Sequence, residues 1–244
     1  MTVQRDPQWR ANGPYTTSNV SKAGLVEETR LYLQTYAKTQ DVRATYRALI
    51  AGALAQRARQ TRESILKIIQ SRLVSWQPPA WVLQDLTGFA AADSPAPLQA
   101  ALLLHVPRQD HLLYDLVQQL ILPPWQAGQR DVTRADVQRF LDEATPAHPE
   151  IERWRHRTRA TLSGNLLSIL RDYGLFQGTL HKKIVEPVVP LEAAAHLVRL
   201  LRAEGVTEVE IAHHPDWRLW LWDTDRAQAA ILELERMGDA PWTS

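Results

Sequence analysis

The sequence predicts a mainly α-helical protein, with a helical N-terminal domain of helix-turn-helix character, a winged-helix-like C-terminal unit and a small strand-strand-helix tail. Three observations predict it. Apolar residues recur at three- and four-residue spacing through most of the first 130 positions. The segment from Thr133 to Pro190 gives three helical stretches and then two short extended runs, the element order of a winged helix-turn-helix. Beyond Pro190 a helix is followed by two runs of alternating hydrophobicity and a last helix.

Taken in order, residues 1 to 20 are polar, with Trp9 and Tyr15 the large apolar groups, so order is expected from about Tyr15. A first helix is predicted over Ser21 to Lys38. Asp41 caps a second, in which Val42, Tyr46, Leu49, Ile50, Ala53 and Leu54 make an apolar stripe. Thr61 is read as the cap of a third, whose Ile65, Ile68, Ile69, Leu73 and Trp76 give a buried face ending at Pro78 and Pro79. Arg57, Arg59, Arg62, Lys67 and Arg72, on or just before this helix, are taken as its exposed side. That makes the pair a candidate helix-turn-helix with a basic second helix. Trp81 to Ala91 is a short helix. Leu98 to Val106 and His111 to Leu122 are so apolar that they are expected to form the core of the N-terminal half. Pro123, Pro124 and Gly128 then mark a boundary. The predicted divisions are 15–130, 131–190 and 191–244.

In the middle unit Thr133 and Asp136 start a helix carrying Val137, Phe140 and Leu141, and Pro149 opens a second with Ile151 and Trp154. The third, from about Arg157 to Tyr173, places Leu162, Leu166, Ile169, Leu170 and Tyr173 on one face and ends at Gly174. Its other face carries Arg157, Thr161, Gly164, Ser168 and Arg171, a basic surface of small residues suited to a phosphate backbone. Lys182 and Lys183 lie where a wing would present them. In the tail, Leu191 to Glu204 is a helix closed by Gly205, Val206 to Ala212 and Trp217 to Trp222 read as a hairpin about His213 and His214, and Asp225 with Gln228 resembles a capping box.

With 45% hydrophobic and 23% charged residues the composition is that of a soluble globular protein, expected in the cytoplasm without a membrane-spanning segment. There is no cysteine, which excludes disulfides, thiolate metal sites and a cysteine nucleophile. The net charge of +1 hides an asymmetry. Residues 1–190 hold 23 basic and 17 acidic side chains, and residues 191–244 hold 5 and 10. Arg43 to Arg72 and Arg153 to Lys183 are the two basic stretches, each a candidate polyanion contact.

Catalytic and cofactor motifs are absent from the sequence. No GxxxxGK[ST], GxGxxG or GxSxG occurs, and no histidine pair has HExxH, HxH or i, i+4 spacing. The acidic pairs Asp142-Glu143 and Glu150/Glu152 suit a helix surface better than acid–base chemistry. No enzyme activity, cofactor or metal is expected.

The chain resembles the BrxA family of BREX bacteriophage-exclusion systems over about Tyr15 to Pro190. The resemblance is carried by Tyr15-Thr-Thr-Ser18, Gly24-Leu25 and Glu27-Glu28, by Thr61 with Ser71-Arg72-Leu73, and by His111-Leu-Leu-Tyr-Asp115. It continues in Thr133-Arg-Ala-Asp136, Phe140-Leu141, His148-Pro-Glu150, Trp154, Leu166, Ile169-Leu170 and Tyr173-Gly-Leu175. It implies a mainly helical, non-enzymatic protein that binds double-stranded DNA and works with other components of a defence locus. It implies no particular DNA-contacting residue. Two readings follow. One is a DNA-binding subunit using the Thr61 to Arg72 helix, the Arg157 to Arg171 helix and the Lys182-Lys183 wing. The other is a protein–protein adaptor, for which Trp125 and Trp242 are candidate exposed aromatics.

Overall fold

The computed structural model describes residues 10–55, 58–179 and 181–237. Its helices are α1 (Val26–Thr39), α2 (Val42–Ala48), α3 (Arg59–Leu73), α4 (Ala80–Ala91), α5 (Ala96–Arg108), α6 (His111–Asp115) and α7 (Leu122–Gln126). They continue with α8 (Arg134–Ala144), α9 (His156–Asp172), α10 (Leu191–Ala203), α11 (Glu208–Ile211) and α12 (Thr224–Arg236). Three short strands, β1 (Asp131–Val132), β2 (Phe176–Gln177) and β3 (Lys182–Ile184), form an antiparallel sheet in the order β1-β3-β2. The protein is mainly α, as its apolar spacing predicts.

Helix α5 is the hub. Leu98 and every residue from Ala100 to Arg108 are buried, because α1, α3, α4, α6, α10 and a 3-10 helix at Pro215–Trp220 all pack on it. A helix apolar on all sides can only be stable inside such a jacket. Helix α6 runs through a π-helical turn, Leu116–Ile121, into α7. Pro123 and Pro124 lack the N–H that α-geometry would supply to the preceding turn, and the helix widens before them: Leu122 N–H bonds five residues back, to Val117.

Helix ends follow local chemistry. Asp41 caps α2 by accepting from Ala44 N–H, and Thr133 and Asp136 close a reciprocal capping box on α8. Past the ends of α9 and α10, Gly174 and Gly205 take φ values of 88° and 82°, the left-handed conformation expected of glycine there. Two caps differ from expectation. Helix α3 starts at Arg59 after an uncapping Ala58, so Thr61 lies inside it, and the cap of α12 is Asp223, which accepts from Arg226 N–H, in place of Asp225.

The segment after Pro190 contains no hairpin among its described residues. Val206 to Ala212 holds the one-turn helix α11, and Trp217 to Trp220 belong to the 3-10 helix Pro215–Trp220. The three tryptophans 217, 220 and 222 pack on one another, and Trp220 donates its indole N–H to the Ala100 carbonyl of α5 at 3.0 Å. This segment is thus built into the core.

The chain before α1 crosses the body as a strap. Its placement before the expected Tyr15 is held by Arg10, anchored to Asp216 at 2.7 Å and Glu204 at 3.1 Å. Gly24 fits against α9 only because it has no side chain, since a Cβ there would lie 2.6 Å from Asp172 Cβ. Among the described residues no helix is long and apolar enough to cross a membrane.

Candidate nucleic-acid interface

Helix α9 buries Leu162, Leu166, Ile169, Leu170 and, just past its end, Tyr173, the face that its spacing predicts. Its start differs from that of α8. No side chain caps α9, so its first backbone N–H groups and the positive end of its dipole face outward beside Arg155, Arg157 and Thr158, all exposed. Neither Arg155 nor Arg157 meets an acidic partner among the described residues. Between this helix start and the strap lies a cleft of about 400 Å³ whose polar lining includes Thr17, Ser21, Arg155, Arg157, Thr158 and Thr161.

The rest of the predicted polar face is committed within the protein. The Arg134 guanidinium covers Gly164, 3.3 Å from where a Cβ would be, and Asn165 donates to the carbonyls of Val20 and Ser21 at 3.2 and 3.0 Å. Ser168 bonds back to the Gly164 carbonyl at 2.8 Å, and Arg171 pairs with Asp172 at 2.7 Å. Arg157 and Thr161 therefore remain open to a ligand, whereas Ser168 and Arg171 are engaged.

The two lysines of the hairpin part company. Lys182 and Ile184 point inward and Lys183 outward, as alternation along a strand requires. The expectation that both lysines are exposed thus fails for Lys182, whose ammonium donates to the Thr179 carbonyl at 3.1 Å. Burial, then the neighbouring guanidinium groups of Arg171 and Arg134, hold it below the usual lysine range, with Asp172 opposing.

The basic helix α3 divides likewise. Arg59 is exposed and paired with Glu63 at 2.8 Å, Lys67 is exposed, and Arg62 is half-buried. Arg57 lies outside the described residues. Arg72, expected on the surface, is 1% exposed and belongs to the core. Its guanidinium donates to the carbonyls of Asn19 (2.6 Å) and Gly24 (2.9 Å) and to Tyr173 Oη (3.2 Å), tying the strap between α3 and α9. Trp125, a candidate exposed aromatic, is half-buried with Arg130 over its ring at 3.9 Å; Trp242 lies outside the described residues.

Arg155 and Thr158 were not singled out by the sequence. The signal was the alternation of Arg153, Arg155, Arg157 and Arg159 across the start of α9. Among the described residues only Arg159 of the four is drawn to an acid, pairing with Asp142 of α8.

The family model BrxA matches residues 13–200, a span that takes in the strap, α9 and the sheet. The chain belongs to the BrxA family. As a BrxA-family protein it is a component of a BREX phage-defence system. No curated protein matches it. Among solved structures, the crystal structure of an uncharacterized protein from Magnetospirillum magneticum is similar, with a TM-score of 0.66 and 14% identity, covering 86% of this chain and 100% of that one. That likeness shows the fold of this BrxA-family chain.

Proposed function

We propose that the chain is a non-enzymatic subunit that binds double-stranded DNA mainly through its phosphates, with the start of α9 and the outward lysine of the hairpin as the contact surface. The observation that carries this reading is the uncapped start of α9 with two arginines beside it that meet no acidic partner among the described residues. Free N–H groups, a helix dipole and guanidinium groups all favour the same ligand, an anionic oxygen. The element order supports it: β1, α8, α9 and the β2–β3 hairpin, with sheet order β1-β3-β2, follow the plan of a winged helix-turn-helix, whose second helix enters the groove while the wing reaches adjacent phosphate. Arginines spread over a helix start and a loop fit a regular array of charges more readily than a base code, so binding is largely independent of sequence.

The test is fluorescence anisotropy of a labelled random-sequence duplex over a range of salt. If about four to six phosphates are neutralised, log K falls with log[salt] with a slope of about −4 to −5. A flat salt response, or no binding at low salt, would move the function to that of a protein–protein adaptor within the defence assembly.

A further inference from the structure

Three rings meet where the strap, α6 and the segment leading into α9 come together. Tyr15 and His148 are stacked with centroids 3.5 Å apart, and His111 stands edge-on to both, at 5.3 and 5.4 Å. Asp115, one turn after His111 on α6, accepts a hydrogen bond from Tyr15 Oη at 2.7 Å. His111, Asp115 and His148 can each place one donor atom within 4.8 Å of the other two. A search for pairs of histidines passes over this group, because its nearest neighbours in sequence are a histidine and an aspartate.

The imidazoles are oriented from behind. His111 Nδ1 lies 2.8 Å from the Gly13 carbonyl oxygen, and His148 Nδ1 lies 3.2 Å from Glu150 Oε1, which also accepts Tyr15 N–H. Both oxygens are acceptors, so each Nδ1 carries a hydrogen, which leaves Nε2 as the nitrogen that a metal would take. An outer carbonyl or carboxylate on one nitrogen is what fixes a metal-binding histidine. The consequence at the centre is electrostatic. His111 Nε2 lies 3.4 Å from Asp115 Oδ2. Something positive belongs there.

We propose that His111 Nε2, His148 Nε2 and the Asp115 carboxylate bind one divalent transition-metal ion of the zinc class. Bonds of about 2.0–2.1 Å to a tetrahedral ion set its ligand atoms about 3.3 Å apart, the spacing His111 and Asp115 already have. Two imidazoles among three donors select zinc and its neighbours over magnesium or calcium. The three groups are half-buried, so one side stays open and water completes the coordination. The ion clips α6 to the start of the 3-10 segment Pro149–Arg153, which leads directly into α9. The proposal does not depend on the DNA-binding reading.

The test uses the full chain without a polyhistidine tag, stripped with a chelator and titrated calorimetrically with zinc chloride, with cobalt(II) as a spectroscopic probe. One equivalent of zinc is expected to bind, and cobalt is expected to give the intense visible bands of a four- or five-coordinate ion. His111→Gln and His148→Gln each weaken zinc more than 100-fold, Glu150→Gln weakens it about 10–100-fold by loosening His148 and Tyr15, and His213→Gln at an exposed turn changes nothing. Absence of one-equivalent binding, six-coordinate cobalt bands, or titrations of His111→Gln and His148→Gln that match the parent would overturn the proposal. The charge between His111 and Asp115 would then be a proton. The cobalt spectrum of the unmodified chain decides the matter even where a variant fails to fold.

Discussion

Arg72 and Tyr173 meet in the interior, guanidinium to phenol oxygen at 3.2 Å, and both also bond the Gly24 carbonyl, at 2.9 and 3.0 Å. A basic side chain near the end of α3 thus joins α3 to α9 through the strap. Arg72→Met strands several buried carbonyls, so unfolding in urea is expected to show a loss of at least about 3 kcal/mol. Duplex affinity per folded molecule stays the same. A variant as stable as the parent but unable to bind DNA would return Arg72 to the interface.

The double variant Arg157→Glu, Lys183→Glu reverses two exposed charges that support no fold contact. Duplex binding is expected to fall strongly, with the salt slope shallower by about 2. The melting temperature should move by no more than about 2 °C, since substitutions at such sites cost within about 0.5 kcal/mol. Binding equal to the parent would exclude this surface.

Asp216 is fully buried and holds Arg108, itself buried, together with Arg10 and Tyr114. Its carboxyl lies below the usual range because Arg108 and Arg10 outweigh the effect of burial. Asp216→Ala leaves a guanidinium in the core and is expected to cost about 3–5 kcal/mol. Arg108→Met combined with Asp216→Leu should recover much of that, which chemical denaturation of the two variants beside the parent measures.

A buried relay predicts a pH dependence. Asp85 Oδ2 lies 2.7 Å from His196 Nδ1, and His196 Nε2 lies 2.8 Å from His105 Nε2, with Arg199 and Arg108 nearby. Burial holds both imidazoles below their ordinary 6.5, more so for His105, where His196 and Arg108 add to the effect. The unfolded chain therefore takes up protons first as pH drops. Stability contributed above pH 6.5 is lost below it, by up to about 1.4 kcal/mol per pH unit for each imidazole. His105→Gln should flatten that slope between pH 6.5 and 5; an unchanged slope would show that other groups set it.

What was legible in the sequence was local. Helix α9 was placed to within a residue at either end because Gly174 and an apolar stripe both mark it, and the Thr133–Asp136 cap is a two-residue signal. The tail was misread because Trp217, Leu219, Trp220, Leu221 and Trp222 are all buried, and a fully buried apolar run has no period that separates strand from 3-10 helix. The Thr207–Glu210 capping box and Pro215 at a helix start were the better signals there. Arg72 was legible but passed over, since it stands three and four residues after Ile69 and Ile68, on the buried stripe of its own helix. What could not be read was the pairing of distant segments. The groove beside α9 needs Thr17 and Ser21 of the strap, and nothing in the spacing of either segment names the other.

Arg10 and Asp216 stand 206 residues apart in the chain. Vectorial synthesis at roughly 5–20 residues per second separates their emergence by about 10–40 s. Individual helices form in about a microsecond, so the helices up to α9 have ample time to form before Asp216, the partner of Arg10, exists. During translation the strap therefore docks in stages, its Gly24 end once Arg72 has emerged and its Arg10 end only after Asp216. The α9 cleft gains its second wall when Ser21 docks on Asn165, before the Arg10 end of the strap is fastened.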